Sequence, residues 1–193
     1  MKMRRKWSLK LPIVFDTDCI SSFLWIKRLD IVNALFPNEI IIPQSVYNEL
    51  NKIKSPQYRF LFNDLYTQIL QENFELKNIM VTDWEINEYR KLISMKNPKR
   101  IGSGEAAAIV IARALNGTLA SNNLRDILPY VGSNKLPYVC TENILYLSYE
   151  KSYISIKEGN KIWDDMKRIG RMLPNCDFNE IVRRFKINSN KKF

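Results

Sequence analysis

Residues 13–20 read IVFDTDCI. Three apolar residues, Ile13, Val14 and Phe15, run directly into two acids, Asp16 and Asp18. Carboxylates are costly to bury unpaired, so an apolar strand that ends on two of them needs a reason. One reading is a helix cap, with Asp18 or Thr17 closing a helix that starts near Cys19. A second is a metal ligand at the carboxyl end of a strand, where open α/β sheets hold their sites. A third leaves Asp16 as a turn residue. The choice rests on what partners the rest of the chain supplies.

The chain has 193 residues, which suits one domain with at most a small appendage. Apolar residues make up 46 %, enough for an ordinary core. No apolar run approaches the ~18 residues a membrane span needs. The basic start, MKMRRKW, leads into an apolar stretch that meets acids too soon for a secretory signal. Cys19, Cys140 and Cys176 are odd in number, far apart and without a CxxC pair. They fit a reducing cytoplasm better than a disulfide framework or a thiolate zinc site.

Two features narrow the chemistry. The formal net charge is +10, a surface that attracts polyanions, nucleic acid foremost. There is no histidine. That removes imidazole acid–base catalysis, His-based triads and His-ligated zinc. Carboxylates remain, and carboxylates alone suit hard ions such as Mg²⁺ and Mn²⁺.

Apolar runs and breakers predict strands at Lys10–Phe15, Glu39–Ile42, Asn78–Val81, Thr118–Ala120 and Leu136–Cys140, with helices between them. Tyr58–Gln71 reads as a strongly apolar helix, and Asp83 as the N-cap of another. EAAAIVIARAL at 105–115 is apolar nearly all round, the mark of a central buried helix, and Asn116-Gly117 stops it. This alternation argues an α/β fold with a mostly parallel sheet. Beyond Tyr153 the pattern is purely helical and rich in Lys and Arg. The expected division is residues 1–153 as the catalytic domain and 154–193 as a helical extension packed on or beside it.

Four acids fall at element boundaries: Asp16, Glu49 in IIPQSVYNEL, Glu105 in GSGEAAAI and Asp126 in SNNLRDI. Each also has a plain reading, as turn residue, solvated helix face, helix N-terminal charge or surface ion pair. Together, in a chain without histidine, they form a coherent cation site. Glu105 is the awkward member, because a helix leading into the fourth strand is expected to be approached from the opposite end of the sheet.

These segments resemble the PIN-domain family of metal-dependent ribonucleases, and within it the prokaryotic branch of VapC-like toxins. VFDTD is similar to the family's opening strand and Asp-Thr-Asn/Ser turn. IIPQSVYNEL, GSGEAAAIVIARALNG and TLASNNLRDI follow in the family's order, and KLPYVCTENIL is similar to its last strand and helix. The likeness covers roughly residues 10–150. It implies a three-layer α/β/α fold, with Asp16, Glu49 and Glu105 at the first three acidic positions. The fourth position departs: Asn122 and Asn123 stand where the family has an acid, and Asp126 follows three residues later. Either Asp126 completes the set, or the second ion is held poorly.

The resemblance further implies Mg²⁺ or Mn²⁺ held by Asp16, Glu105, Asp126 and Asn123. Asp16, Glu49, Glu105 and Asp126 would be catalytic, with Asp18 and Asn122 beside them. The activity implied is endoribonuclease cleavage leaving a 5′-phosphate and a 3′-hydroxyl. Thr17, Lys99, Arg100, Ser103 and Arg125 are candidate RNA contacts, though Thr17 and Ser103 read equally as caps and the cations as solvated surface. The implied partners are RNA, an acidic antitoxin protein and a second copy in a homodimer, in the cytoplasm and without a membrane. The main alternative is an RNA-binding module of the same fold with a weakened metal site.

Overall fold

β1 (Ile13–Phe15) is the middle strand of a five-stranded sheet, and all three of its residues are fully buried. The computed structural model describes residues 9–80, 82–96, 100–131 and 136–190, with side chains to 187. β2 (Ile40–Pro43) and β3 (Phe74–Lys77) lie on one side of β1; β4 (Thr118–Ala120) and β5 (Tyr138–Val139) lie on the other. The order is β3-β2-β1-β4-β5 and every pairing is parallel. Ile13 registers with Ile40 on one flank and Thr118 on the other. A parallel sheet must be covered on both faces, which is why IVF, III and TLA are continuous and apolar instead of alternating.

The pleat sends Ile13 and Phe15 to one layer and Val14 to the other. On the Phe15 side pack α1 (Thr17–Trp25), α2 (Leu29–Leu35), α4 (Arg59–Leu70, entered through a 3₁₀ turn at Pro56–Tyr58) and α8 (Thr141–Glu150). On the Val14 side lie α5 (Asp83–Ile93), α6 (Ser103–Ala114) and α7 (Leu124–Ile127). α3 (Gln44–Asn51) turns its Val46 and Leu50 toward the Phe15 side and also touches α6. Ala106 to Ala112 of α6 are all buried, so this small-residue helix lies close against the sheet. The architecture is the three-layer α/β/α sandwich expected.

α9 (Ile156–Arg168) and α10 (Phe178–Asn190) contribute Ile162, Trp163, Met166, Phe178, Ile181 and Val182 to the same buried cluster as Phe15. Gly159 lets the two helices meet, because a Cβ there would fall 2.2 Å from the Phe178 ring. Trp163 and Lys167 both donate to the Cys176 carbonyl at 2.7 Å, which fixes the chain between the helices. Among the described residues no helix is long and apolar enough to cross a membrane.

Two sequence expectations need correction. The third strand is Phe74–Lys77, not Asn78–Val81 (Val81 lies outside the described residues). α4 ends at Leu70, and Glu72 with φ +59° turns the chain at once into Phe74, whose burial opposite Ile40 sets the register. The cap of α5 is Thr82, whose hydroxyl accepts from the Glu85 amide, and Asp83 is already in the first turn.

Candidate active site

The chain leaves β1 toward β2 and β3, then returns through α6 to lay β4 on the opposite flank of β1. The direction of winding reverses between β1 and β4. In open parallel sheets the crevice beyond the carboxyl ends at that reversal is where ligands bind. Asp16 follows β1 there, and Ser121, Asn122 and Asn123 follow β4. The Asp16 amide donates to the Ala120 carbonyl at 2.9 Å, which continues the pairing one residue past both strands.

Asp16 turns out to be cap and candidate at once. It is the N-cap of α1, with Oδ1 accepting from the Cys19 amide at 2.7 Å. Oδ2 is buried and has no hydrogen-bond partner. Burial pushes the carboxyl pKa up to about 7, and the negative charges of Asp18 and Glu105 add to the rise. The Ser121 hydroxyl and the Cys19 amide oppose it. Ser121 faces Asp16 without completing a bond, so its own buried Oγ is also unpartnered.

Glu105 sits in the first turn of α6, at the same edge of the sheet. That place, awkward from the sequence pattern and expected from the family resemblance, has a simple reason. A crossover helix runs against its strands, so its N-terminus starts at their carboxyl edge. Its Oε2 accepts from the Gly102 amide at 3.2 Å and its Oε1 from Asn123 Nδ2 at 2.8 Å. Burial raises its pKa, with Asp126 and Asp18 adding to the rise against those two hydrogen bonds.

The same Asn123 nitrogen donates to Asp126 Oδ2, also at 2.8 Å. One amide therefore bridges two acids. It presents N–H to both, so here Asn123 spaces the two acids through its nitrogen. Asn122 does a different job. Its Oδ1 accepts from the Thr141 amide at 2.9 Å at the start of α8, and its Nδ2 donates to Ser22 of α1 at 3.2 Å.

Glu49 is brought to the crevice, but both its oxygens are taken. Thr17 donates to Oε2, while Ser103 Oγ at 2.9 Å and the Gly104 amide at 3.0 Å donate to Oε1. Thr17 and Ser103, expected as RNA contacts, are thus committed to Glu49. The three join the first turns of α1 and α6 to α3. Arg125 is exposed on α7, and Arg100 is exposed beside Met95. Lys99 lies outside the described residues.

Sequence reasoning missed three contributors. Ser121 precedes the two asparagines and gave no separate signal. Gly104 permits the close approach to Glu49: a Cβ there would meet Thr17 Oγ1 at 2.6 Å and both Glu49 oxygens at 3.0 Å. Arg171, one cation among many in the basic tail, ion-pairs with Asp18 at 2.8 Å. Only the three-dimensional arrangement singles it out.

Among the described residues no three His, Cys, Asp or Glu side chains are grouped closely enough to hold a metal ion as they stand. Their chemistry nevertheless fits one. The donors are all oxygen, Asp16 Oδ2 is buried and unpartnered, and neighbouring acids add to the raised pKa values of Asp16 and Glu105, a conflict a cation would reverse. Asp16, Glu105 and Asp126 are the residues that would hold it, once Asn123 releases at least one of the two acids it bridges.

A family model described as a PIN domain matches residues 12–186, a span that includes α9 and most of α10. No curated protein matches the chain.

Proposed function

The chain belongs to the PIN-domain family, and from that premise we propose that it is a metal-dependent endoribonuclease. Proteins of this family are in general nucleases. The observation that carries the finer reading is the unpartnered Oδ2 of Asp16, buried at the winding reversal within electrostatic reach of Glu105. A buried carboxylate oxygen without a partner is a standing cost, and a site for a cation explains it.

A bound Mg²⁺ or Mn²⁺ would supply a more acidic water and a counter-charge for the phosphate under attack. The chain's own residues prepare that setting. Asp16 is held by its cap bond through Oδ1, which leaves Oδ2 without a partner. Glu105 is held from both sides by Gly102 and Asn123. Glu49 fixes the relative placement of α1 and α6. The +10 charge offsets the repulsion that clustered acids exert on RNA. The toxin role, with an acidic antitoxin and a homodimer, is supported by the family resemblance and by this surface charge.

The test is cleavage of a labelled single-stranded RNA in Mg²⁺, Mn²⁺ or EDTA, beside Asp16→Asn. Metal-dependent cutting that is lost in the variant supports the reading; RNA left intact in both metals overturns it. One observation favours the second reading, an RNA-binding module: Asn123 already bridges two of the acids with its N–H groups. That reading expects RNA binding that persists in EDTA, with no cleavage.

A further inference from the structure

We propose that Arg171 is a substrate-positioning residue, delivering its guanidinium to the crevice to grip a backbone phosphate of single-stranded RNA. The proposal rests on reading the crevice as the place where RNA is held. Arg171 comes from the far end of the chain, 153 residues from the acid it meets. Its backbone is well fixed. Gly170, at φ +83°, ends α9, and the Arg171 amide returns to the Met166 carbonyl at 3.0 Å. The segment that follows is held by Trp163 and Lys167 through Cys176.

The side chain is incompletely used. Nη1 donates to Asp18 Oδ1 at 2.8 Å and to Ser21 Oγ at 3.2 Å, while Nε is buried with no partner. The Arg171 side chain is 20 % exposed and the Asp18 side chain 51 % exposed. A one-point pair with so exposed an acid contributes little to stability, so bracing the fold is a weak explanation for it. Guanidinium forks are shaped for two-point capture of phosphate. Asp18 directly follows Thr17 at the start of α1 and acts electrostatically on both Asp16 and Glu105. A phosphate entering the crevice therefore meets Arg171 at its rim. A short swing off Asp18 would offer the guanidinium a two-point acceptor, including the partner that Nε now lacks. Asp18 is then the residue that aims Arg171 while the site is empty of RNA.

The test measures binding, so it does not depend on cutting. In an Asp16→Asn background, a fluorescent single-stranded RNA oligonucleotide is titrated with and without Arg171→Ala, over a range of salt, with thermal unfolding followed in parallel. Expected are roughly tenfold weaker binding and a fall of about 0.7 in the slope of log K against log salt, the signature of one lost phosphate contact on a single strand. Arg171→Lys should recover most of the slope but not the full affinity, because the charge remains and the fork does not. A purely structural residue would move the unfolding temperature and leave the slope alone. If Arg171→Ala does not fold, Arg171→Gln carries the same comparison. An unchanged slope in a folded variant overturns the proposal. Loss of the slope in a protein that never cuts RNA supports it while overturning the nuclease reading alone.

Discussion

The Gly104 amide lies 3.0 Å from Oε1 of Glu49, so an acid of the crevice is tied to the first turn of the buried helix α6. This contact exists because residue 104 has no side chain. Gly104→Ala should therefore lower stability by about 1–3 kcal/mol through overpacking and weaken whatever the crevice binds. Chemical denaturation, with RNA binding measured in parallel, checks both. Glu49→Ala should cost a similar amount, since it strands Thr17, Ser103 and the Gly104 amide.

Asp16 makes stability depend on pH in the reverse of the usual carboxylate sense. Its pKa rises from 3.8 in the free side chain to about 7 when folded. Between those values the native state binds the extra proton, so the stability that Asp16 contributes is fully present below about pH 4 and is lost as pH rises through about 7, by at most about 4 kcal/mol. Burial of Glu105 acts in the same direction. Asp16→Asn should flatten this fall and raise the unfolding temperature at pH 7 in metal-free buffer. A variant less stable than the parent there would contradict the assignment. Adding Mn²⁺ should stabilise the parent at pH 7 and leave Asp16→Asn nearly unmoved.

Asn123→Asp replaces a shared donor with a further acid between Glu105 and Asp126. Without metal it should destabilise by about 1–3 kcal/mol. Mn²⁺ should return more stability to it than to the parent, which calorimetry with and without the ion would show. An equal response in both proteins would mean that Asn123 does not border the ion.

Gly159→Ala probes the junction of α9 and α10. Phe178 is fully buried, so its ring has no room to retreat from a new Cβ. A loss of about 1–3 kcal/mol is expected. Because these helices share the cluster of Phe15, the loss should appear in a single unfolding transition of the whole chain. A separate early transition would show the last two helices melting by themselves.

What the sequence made legible was the part written in residue type and local pattern. Apolar runs bounded by acids, prolines and glycines placed β1, β2, β4 and α6, because burial on two faces leaves a run of Val, Ile and Ala that has few other uses. Asp16 and Glu105 stood out because they sit at element ends. β3 was not legible: FELK does alternate apolar with charged residues, but four residues so soon after a long helix are too short a run to stand out, and its place is set by Ile40 and Glu72. The employment of Glu49 was hidden too: a helix-face acid gives no hint that two other helices will converge on both its oxygens. Arg171 was least visible, because nothing in the RIGRMLPN stretch marks one arginine for a partner near the start of the chain.

The central position of β1 also has a consequence in time. A ribosome releases this strand first, yet one flank stays bare until β4 has been made, and Asp16 has no Ala120 carbonyl to bond until then. Asn123 emerges next, and Arg171 well after it. The acids of the crevice are thus translated early and assembled late. A chain interrupted before β4 carries Asp16, Glu49 and Glu105 without the arrangement that joins them, so whatever the crevice does waits for β4 and the turn that follows it.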